Sequence, residues 1–252
     1  MRKIALVTGA TAGIGMAVAE ILAENSYNLI ITGRRRELLD KLKNELGVKY
    51  KSDVLALNFD IRDRKQTEES IDNLPKSWEN IDVLINNAGL SAGLAPIHEG
   101  LVDDWEKMID TNIKGLLYIT RKVAPLMINR GSGHIVNISS IAAKETYEGG
   151  NVYCATKHAV DALNKGMRID LVKHNIKVTS ISPGMVETEF SIVRFKGDKA
   201  RADKVYEGLT PLSAEDVAEA VWFALSRPAH VNINDMLIMP TAQASITTVV
   251  RK

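Results

Sequence analysis

The feature that most constrains this chain is a rhythm. Short apolar runs, KIALVT, NLIIT, DVLALNF, IDVLINN, GHIVNIS and IKVTSIS, alternate with helix-period segments at residues 13–25, 35–46, 63–73, 103–129 and 151–173. IALV, LIIT and HIVNI are continuous rather than alternating, as expected of parallel strands covered on both faces by crossover helices. The competing reading is an amphipathic helical protein. Short β-branched runs bounded by Gly, Asn and Asp disfavour it. No linker-like shift in composition splits the 252 residues, so residues 1–252 read as one α/β domain built on a doubly wound parallel sheet. The rhythm breaks at residues 185–211, where charge rises and Gly197 and Gly208 interrupt any long helix. We read this segment as a lid over a site rather than an elaborated surface connection.

Composition mainly excludes. With 45% apolar and 25% charged residues and a net charge of +1, nothing attracts nucleic acid or anionic lipid. One cysteine forms no internal disulfide, and MRKIALVTGA turns glycine-rich before it supplies a signal or membrane-spanning run. The expectation is a cytoplasmic protein with a small-molecule substrate.

The first run leads into TGATAGIG, residues 8–15, and then into MAVAEILAE. Glycines opening a helix let the backbone approach a pyrophosphate, whose charge the unpaired N–H groups favour. The spacing of Gly9, Gly13 and Gly15 is not G-x-G-x-x-G, and a plain turn is the simpler reading of it alone. The second run adds weight, because it ends in ITGRRREL, where a dinucleotide site reads the ribose. An NAD site wants an acid there; this chain has Arg34 and Arg35, which suit a 2′-phosphate. NADP is therefore expected over NAD.

The stretch GGNVYCATKHAV offers two reactive couples at helical spacing, Tyr153 with Lys157 and Cys154 with His158. A phenol serves hydride chemistry by taking a proton from, or giving one to, the substrate oxygen. Bringing it from about 10 to about 7 needs roughly 4 kcal/mol, of which a lysine about 5 Å away contributes roughly 3 kcal/mol at an effective dielectric of 20. Cys154 and His158 point about 100° away around the helix and read as packing and surface. Ser140, closing the fifth run, is placed to donate to the substrate oxygen; its neighbour Ser139 faces the other way. The five histidines show no metal-ligand spacing, so no metal is expected.

Taken in order, TGATAGIG, Asp60 in NFDIRD, NNAG at 86–89, Asn112, NISS at 137–140, YCATK at 153–157 and SPGMVET at 182–188 resemble the standard-length short-chain dehydrogenases/reductases. The resemblance spans most of the chain. It implies a single Rossmann-type domain of about seven strands in the order 3-2-1-4-5-6-7, and a homotetramer. It implies a catalytic set of Asn112, Ser140, Tyr153 and Lys157, with Asn112 orienting a water and Lys157 also holding the nicotinamide ribose. For the cofactor it implies Gly9, Thr11, Gly13, Ile14 and Gly15 at the first turn, and Asp60 with Ile61 at the adenine. Asn86, Asn87, Ala88 and Gly89 would line the ribose, and Pro183, Gly184, Val186 and Thr188 the nicotinamide. VDDWEKMIDTNIKGLLY, GGNVYCATK, TEFSIVRFKGD and PAHVNIND are similar to a narrower branch, NADP-dependent 3-hydroxy acid dehydrogenases acting on L-allo-threonine, serine or 3-hydroxypropionate. Such a substrate needs a cation for its carboxylate, and Arg194, or less favourably Lys196, lies in the lid segment. Reduction of neutral ketones, diketones or aldehydes, and NADP sensing without turnover, stay open as alternatives.

Overall fold

The structure, a computed structural model, describes residues 2–252. Seven parallel strands, β1 (Ile4–Val7), β2 (Asn28–Gly33), β3 (Val54–Asn58), β4 (Ile81–Asn86), β5 (Gly133–Ile138), β6 (Ile176–Pro183) and β7 (Asp235–Ile238), form one sheet in the order β3-β2-β1-β4-β5-β6-β7. Parallel neighbours demand crossovers, and the helix-period segments supply them: α1 (Gly13–Glu24), α2 (Arg36–Tyr50), α3 (Arg64–Asp72), α6 (Asn151–Leu171) and α9 (Ala214–Leu225).

Continuous apolar runs are explained by the two layers they feed. Ala5, Val7, Leu29, Ile31, Val83 and Ile85 pack into one buried cluster with α1, α2 and α9. Their strand neighbours Ile4, Leu6, Ile30 and Leu84 pack into a second cluster with α3 and the helix after β4. Period-two alternation sends each strand's residues to both sides, so both parities must be apolar. The strand order reverses between β1 and β4, and the carboxyl ends of the strands there open onto a cleft.

The segment at 103–129, read as one helix, is three pieces: α4 (Val102–Ile109), a π-helical turn at Asp110–Gly115, and α5 (Leu116–Arg130). The wide turn carries Asn112, and such turns recur where a helix must present a functional group. The lid segment holds two short helices, α7 (Phe190–Arg194) and α8 (Lys199–Lys204), with Lys196 and Gly197 at positive φ between them. The C-terminal tail packs on this same chain, Arg251 donating to the carbonyls of Val205 and Glu207 and the Lys252 amide to Gly208.

Candidate active site

The turn after β1 is shaped by what it excludes. Gly9 sits at φ +67°, a left-handed conformation that side chains disfavour. At Gly15 a Cβ would lie 2.3 Å from the Gly9 carbonyl oxygen and 2.4 Å from Asn87 Nδ2. Helix α1 starts at Gly13, and its N-cap residue Ala12 has no side chain to cap it, which leaves the first N–H groups to the cleft. Gly9, Thr11, Gly13 and Ile14 line that cleft, while Gly15 lies behind the turn.

The cleft's far wall joins the exits of β2 and β3. Arg35 donates through Nη2 to Thr11 Oγ1 at 3.0 Å and through Nη1 to Glu189 Oε2 at 3.0 Å. Arg34 is largely exposed, 3.9 Å from Asp60. Asp60 and Ile61 line the same recess, but the Asp60 carboxylate is gripped by Arg62, whose Nη2 lies 2.6 Å away. An uncapped helix start, a turn closed to Cβ atoms and two guanidinium groups at the β2 exit fit a dinucleotide carrying a 2′-phosphate.

At the β4 exit, Asn86 departs from expectation. Its amide donates to Thr120 and Asn137 beneath the sheet, so it braces the core and does not line the cleft. Asn87, Ala88 and Gly89 do line it. They are held by Thr8, whose hydroxyl accepts from the Asn87 and Ala88 amides at 3.0 Å each. The Pro183–Thr188 turn closes the opposite side, with the Met185 amide bonded to Gln243 Oε1 at 2.8 Å. Thr8 opens the TGATAGIG motif, but its hold on the β4 exit is invisible there because Asn87 and Ala88 lie far off in sequence, and no local pattern marks Gln243.

Ser140, Tyr153 and Lys157 converge on this cleft. Ser140 caps a short 3-10 turn, accepting from the Ala142 amide at 3.1 Å, and its hydroxyl stands where it favours the ionised Tyr153 phenol. Ser139 is also buried beside the cleft, and its hydroxyl has no partner. Lys157 Nζ donates to the Ile138 carbonyl at 3.0 Å and stands 5.9 Å from the Tyr153 ring centroid. Asn112 accepts from the Leu90 amide and donates to the Leu90 carbonyl and Thr156, next to Gly89 and the Lys157 ammonium.

The ionisations differ from the sequence-based expectation of a phenol near neutrality. Burial pushes Tyr153 up to about 12, opposed by the Arg194 guanidinium and the Ser140 hydroxyl. Burial also pushes the Lys157 ammonium down to about 8. Desolvation is the largest cause at both members of the couple and favours the neutral form of each.

The rival couple does not form. Cys154 is fully buried against Met108 and Ala142, and the exposed His158 donates through Nδ1 to the Cys154 backbone carbonyl at 2.9 Å. Among the described residues no group of three His, Cys, Asp or Glu is placed to hold a metal. Arg194 lines a recess that adjoins the cleft at Tyr153, donating to Ser91 at 3.1 Å and to the Tyr147 hydroxyl at 3.0 Å, with its guanidinium 5.5 Å from the Tyr153 ring centroid. Lys196 is bound to the buried Asp104 at 2.8 Å, which turns it away.

Comparison with known proteins decides the family. The short chain dehydrogenase family matches residues 3–199. This chain is a short-chain dehydrogenase. It is 52% identical over 242 residues to the NADP-dependent 3-hydroxy acid dehydrogenase YdfG of Salmonella typhi, covering 96% of each chain. It is 44% identical over 245 residues to sulfoacetaldehyde reductase 2 of Chromohalobacter salexigens, covering 97% of this chain and 96% of that one. Among solved structures, the closed form of serine dehydrogenase complexed with NADP+ superposes with a TM-score of 0.93 at 48% identity over 99% of both chains. The short-chain dehydrogenase fold thus accounts for the strand order, the cleft at its switch point and the Ser140–Tyr153–Lys157 cluster.

Proposed function

We propose that this chain is an NADP-dependent oxidoreductase that moves hydride between nicotinamide and the 3-hydroxyl carbon of a small 3-hydroxy acid such as L-allo-threonine, serine or 3-hydroxypropionate. The observation that carries the reading is Arg194: a guanidinium with no ion pair among the described residues, 5.5 Å from the Tyr153 ring centroid and lining a recess that adjoins the cleft at Tyr153. A hydroxy acid whose carboxylate pairs with that fork brings its hydroxyl to Ser140 and Tyr153. Carboxylates and sulfoacetaldehyde share an anionic head near the reacting carbon, and the relatives named for them support one cationic wall for both.

Nicotinamide, when bound, supplies the hydride acceptor for oxidation and the donor for reduction. Tyr153 takes the hydroxyl proton in oxidation and returns it in reduction. Ser140 donates to the substrate oxygen as its charge changes. Lys157 holds positive charge beneath the phenol and reaches the ribose, with Asn112 anchoring the neighbouring backbone and a water. Arg35 and Thr11, with Arg34, read the 2′-phosphate. Ile61 and the Asp60 backbone flank the adenine, and Gly184, Val186 and Thr188 face the nicotinamide. Residues 185–211 act as the lid, Phe190 and Val193 covering the cleft.

The test is an NADP-coupled screen of serine, both threonine diastereomers, 3-hydroxypropionate, 3-hydroxyisobutyrate and neutral alcohols, run with NADP and NAD. Hydroxy acids should be oxidised with a clear NADP preference, and Arg35→Ala should cut that preference by roughly tenfold, the scale of one charge-assisted contact. Turnover of neutral alcohols alone, or a preference for NAD, would overturn the proposal.

For assembly we propose a homotetramer. Leu101, Val102 and Leu117 around α4 and α5, and Ile169 and Val172 at the end of α6, are exposed apolar side chains on the helices suited to two-fold contacts. Light scattering should return four times the 27.7 kDa chain mass; a monomeric mass excludes it.

A further inference from the structure

Arg194 has surroundings that carboxylate recognition alone does not require. Its guanidinium lies 5.1 Å from the Phe190 ring centroid, 5.5 Å from that of Tyr153 and 5.8 Å from that of Tyr147. Ser91 and the Tyr147 hydroxyl hold it by hydrogen bonds, and the Gly93 amide bonds to its carbonyl at 3.0 Å. Asp104 is paired with Lys196 at 2.8 Å and Glu189 with Arg35 at 3.0 Å, while Glu187 and Arg194 act on the Tyr206 phenol in opposite senses. A cation caged by three rings, and in no ion pair among the described residues, keeps its field for what lies beneath it.

We propose that Arg194 is a second cation governing the ionisation of Tyr153, an electrostatic positioning residue that sustains the phenolate until an anionic substrate pairs with it. The inference rests on the reading of Tyr153 as proton carrier. Its neighbours on every side are accounted for. From its own helix come Lys157 and Cys154, from the turn after β5 the Ser140 hydroxyl, from the loop before α6 Tyr147, and from α4 Asp104, met by Lys196. Ser140 and Arg194 favour the phenolate; Tyr147 and Cys154 oppose it. Lys157 is an incomplete partner, because burial brings it to about 8 and its ammonium is committed to the Ile138 carbonyl. Its Nζ stands 5.9 Å from the Tyr153 ring centroid, farther than the Arg194 guanidinium at 5.5 Å. A guanidinium stays charged throughout.

The geometry also couples substrate to base. A carboxylate paired with Arg194 weakens the guanidinium's hold on the phenolate, so the Tyr153 pKa rises when a hydroxy acid binds and not when a neutral alcohol binds. In oxidation the deprotonated phenol is the active form, so rate climbs with pH through that pKa. The inflection in kcat/KM reports the free enzyme and that in kcat the complex.

The experiment titrates the tyrosinate absorbance of the free protein, with the difference between wild type and Tyr153→Phe isolating the one phenol. It is repeated in an Arg194→Gln and an Arg194→Lys background, beside pH profiles of kcat/KM with a hydroxy acid and a neutral alcohol. Arg194→Gln should move the Tyr153 step in the difference titration to higher pH and raise the inflection in kcat/KM for the neutral alcohol by about one unit, the order expected of a charge at this separation in a partly screened site, and Arg194→Lys should shift both less. An unmoved titration in Arg194→Gln overturns the inference, and a higher KM for the hydroxy acid alongside it would leave Arg194 as a carboxylate reader only. If wild type oxidises no hydroxy acid yet the titration moves as stated, the substrate proposal falls and this one stands.

Discussion

Tyr153→Phe should lower NADP-coupled kcat/KM by about three orders of magnitude, within the range that a positioned acid/base contributes. The substitution keeps the ring, its edge contact with Phe190 at 5.6 Å and its place under Arg194, so the fold and the cleft wall survive. What goes is the one phenol that lines the cleft with Ser140. Cys154→Ala, one residue along, removes a buried thiol packed on Met108 and Ala142 and should keep most of the activity. Steady-state kinetics on the two variants side by side checks both statements. A Tyr153→Phe enzyme within tenfold of wild type, or a Cys154→Ala enzyme that is dead at wild-type stability, would reverse the assignment.

Gly15→Ala should weaken NADP binding by about 100-fold, roughly 2.7 kcal/mol, and destabilise the fold by about 2 kcal/mol. The added Cβ meets the Gly9 carbonyl and Asn87 Nδ2 well inside contact distance. Neither can yield freely: Asn87 Nδ2 bonds to the Thr8 carbonyl at 2.9 Å and the Gly9 carbonyl at 3.1 Å, which ties the β1 turn to the β4 exit. Relief of the clash deforms the phosphate-facing turn and loosens the Asn87–Gly89 wall together. Gly166→Ala, in α6 with nothing within 4 Å of its Cβ, is the control. It should leave binding unchanged and stabilise by about 0.5–1 kcal/mol. Titration calorimetry and denaturant melts read both, and an unchanged dissociation constant in Gly15→Ala would show the turn to be more compliant than its geometry implies.

Much of the fold was legible before any coordinates. The two-sided sheet follows from six apolar runs, because a residue's strand parity already dictates which layer it enters, while the strand order and the seventh strand, Asp235–Ile238, came from the resemblance that the motif series carries. Helix ends were less legible: α2 runs on to Tyr50, four residues past the segment read from periodicity, and the long helix after β4 conceals a π turn. A hydrogen-bond slip of one residue leaves the apolar spacing on either side nearly unchanged, so periodicity alone does not reveal it.

At the site the division is sharper. Spacing on one helix offered Tyr153–Lys157 and Cys154–His158 alike, and only placing the stretch beside Ser140 and the glycine turn singled out the first, whereas the arginines of GRRR were enough to point to a 2′-phosphate, since side-chain chemistry is a local property. Three things came only from the tertiary structure. Asn86 turned down into the core while Asn87 stayed in the cleft. Of the two lid cations, Lys196 went to Asp104 while Arg194 settled over Tyr153. The phenol and its lysine moved away from each other's needs, up to about 12 and down to about 8, because both are desolvated. Those outcomes depend on which distant groups share a wall and how much water reaches it; the sequence by itself determined the parts and their order, and only burial and long-range partners decided which charge acts on which atom.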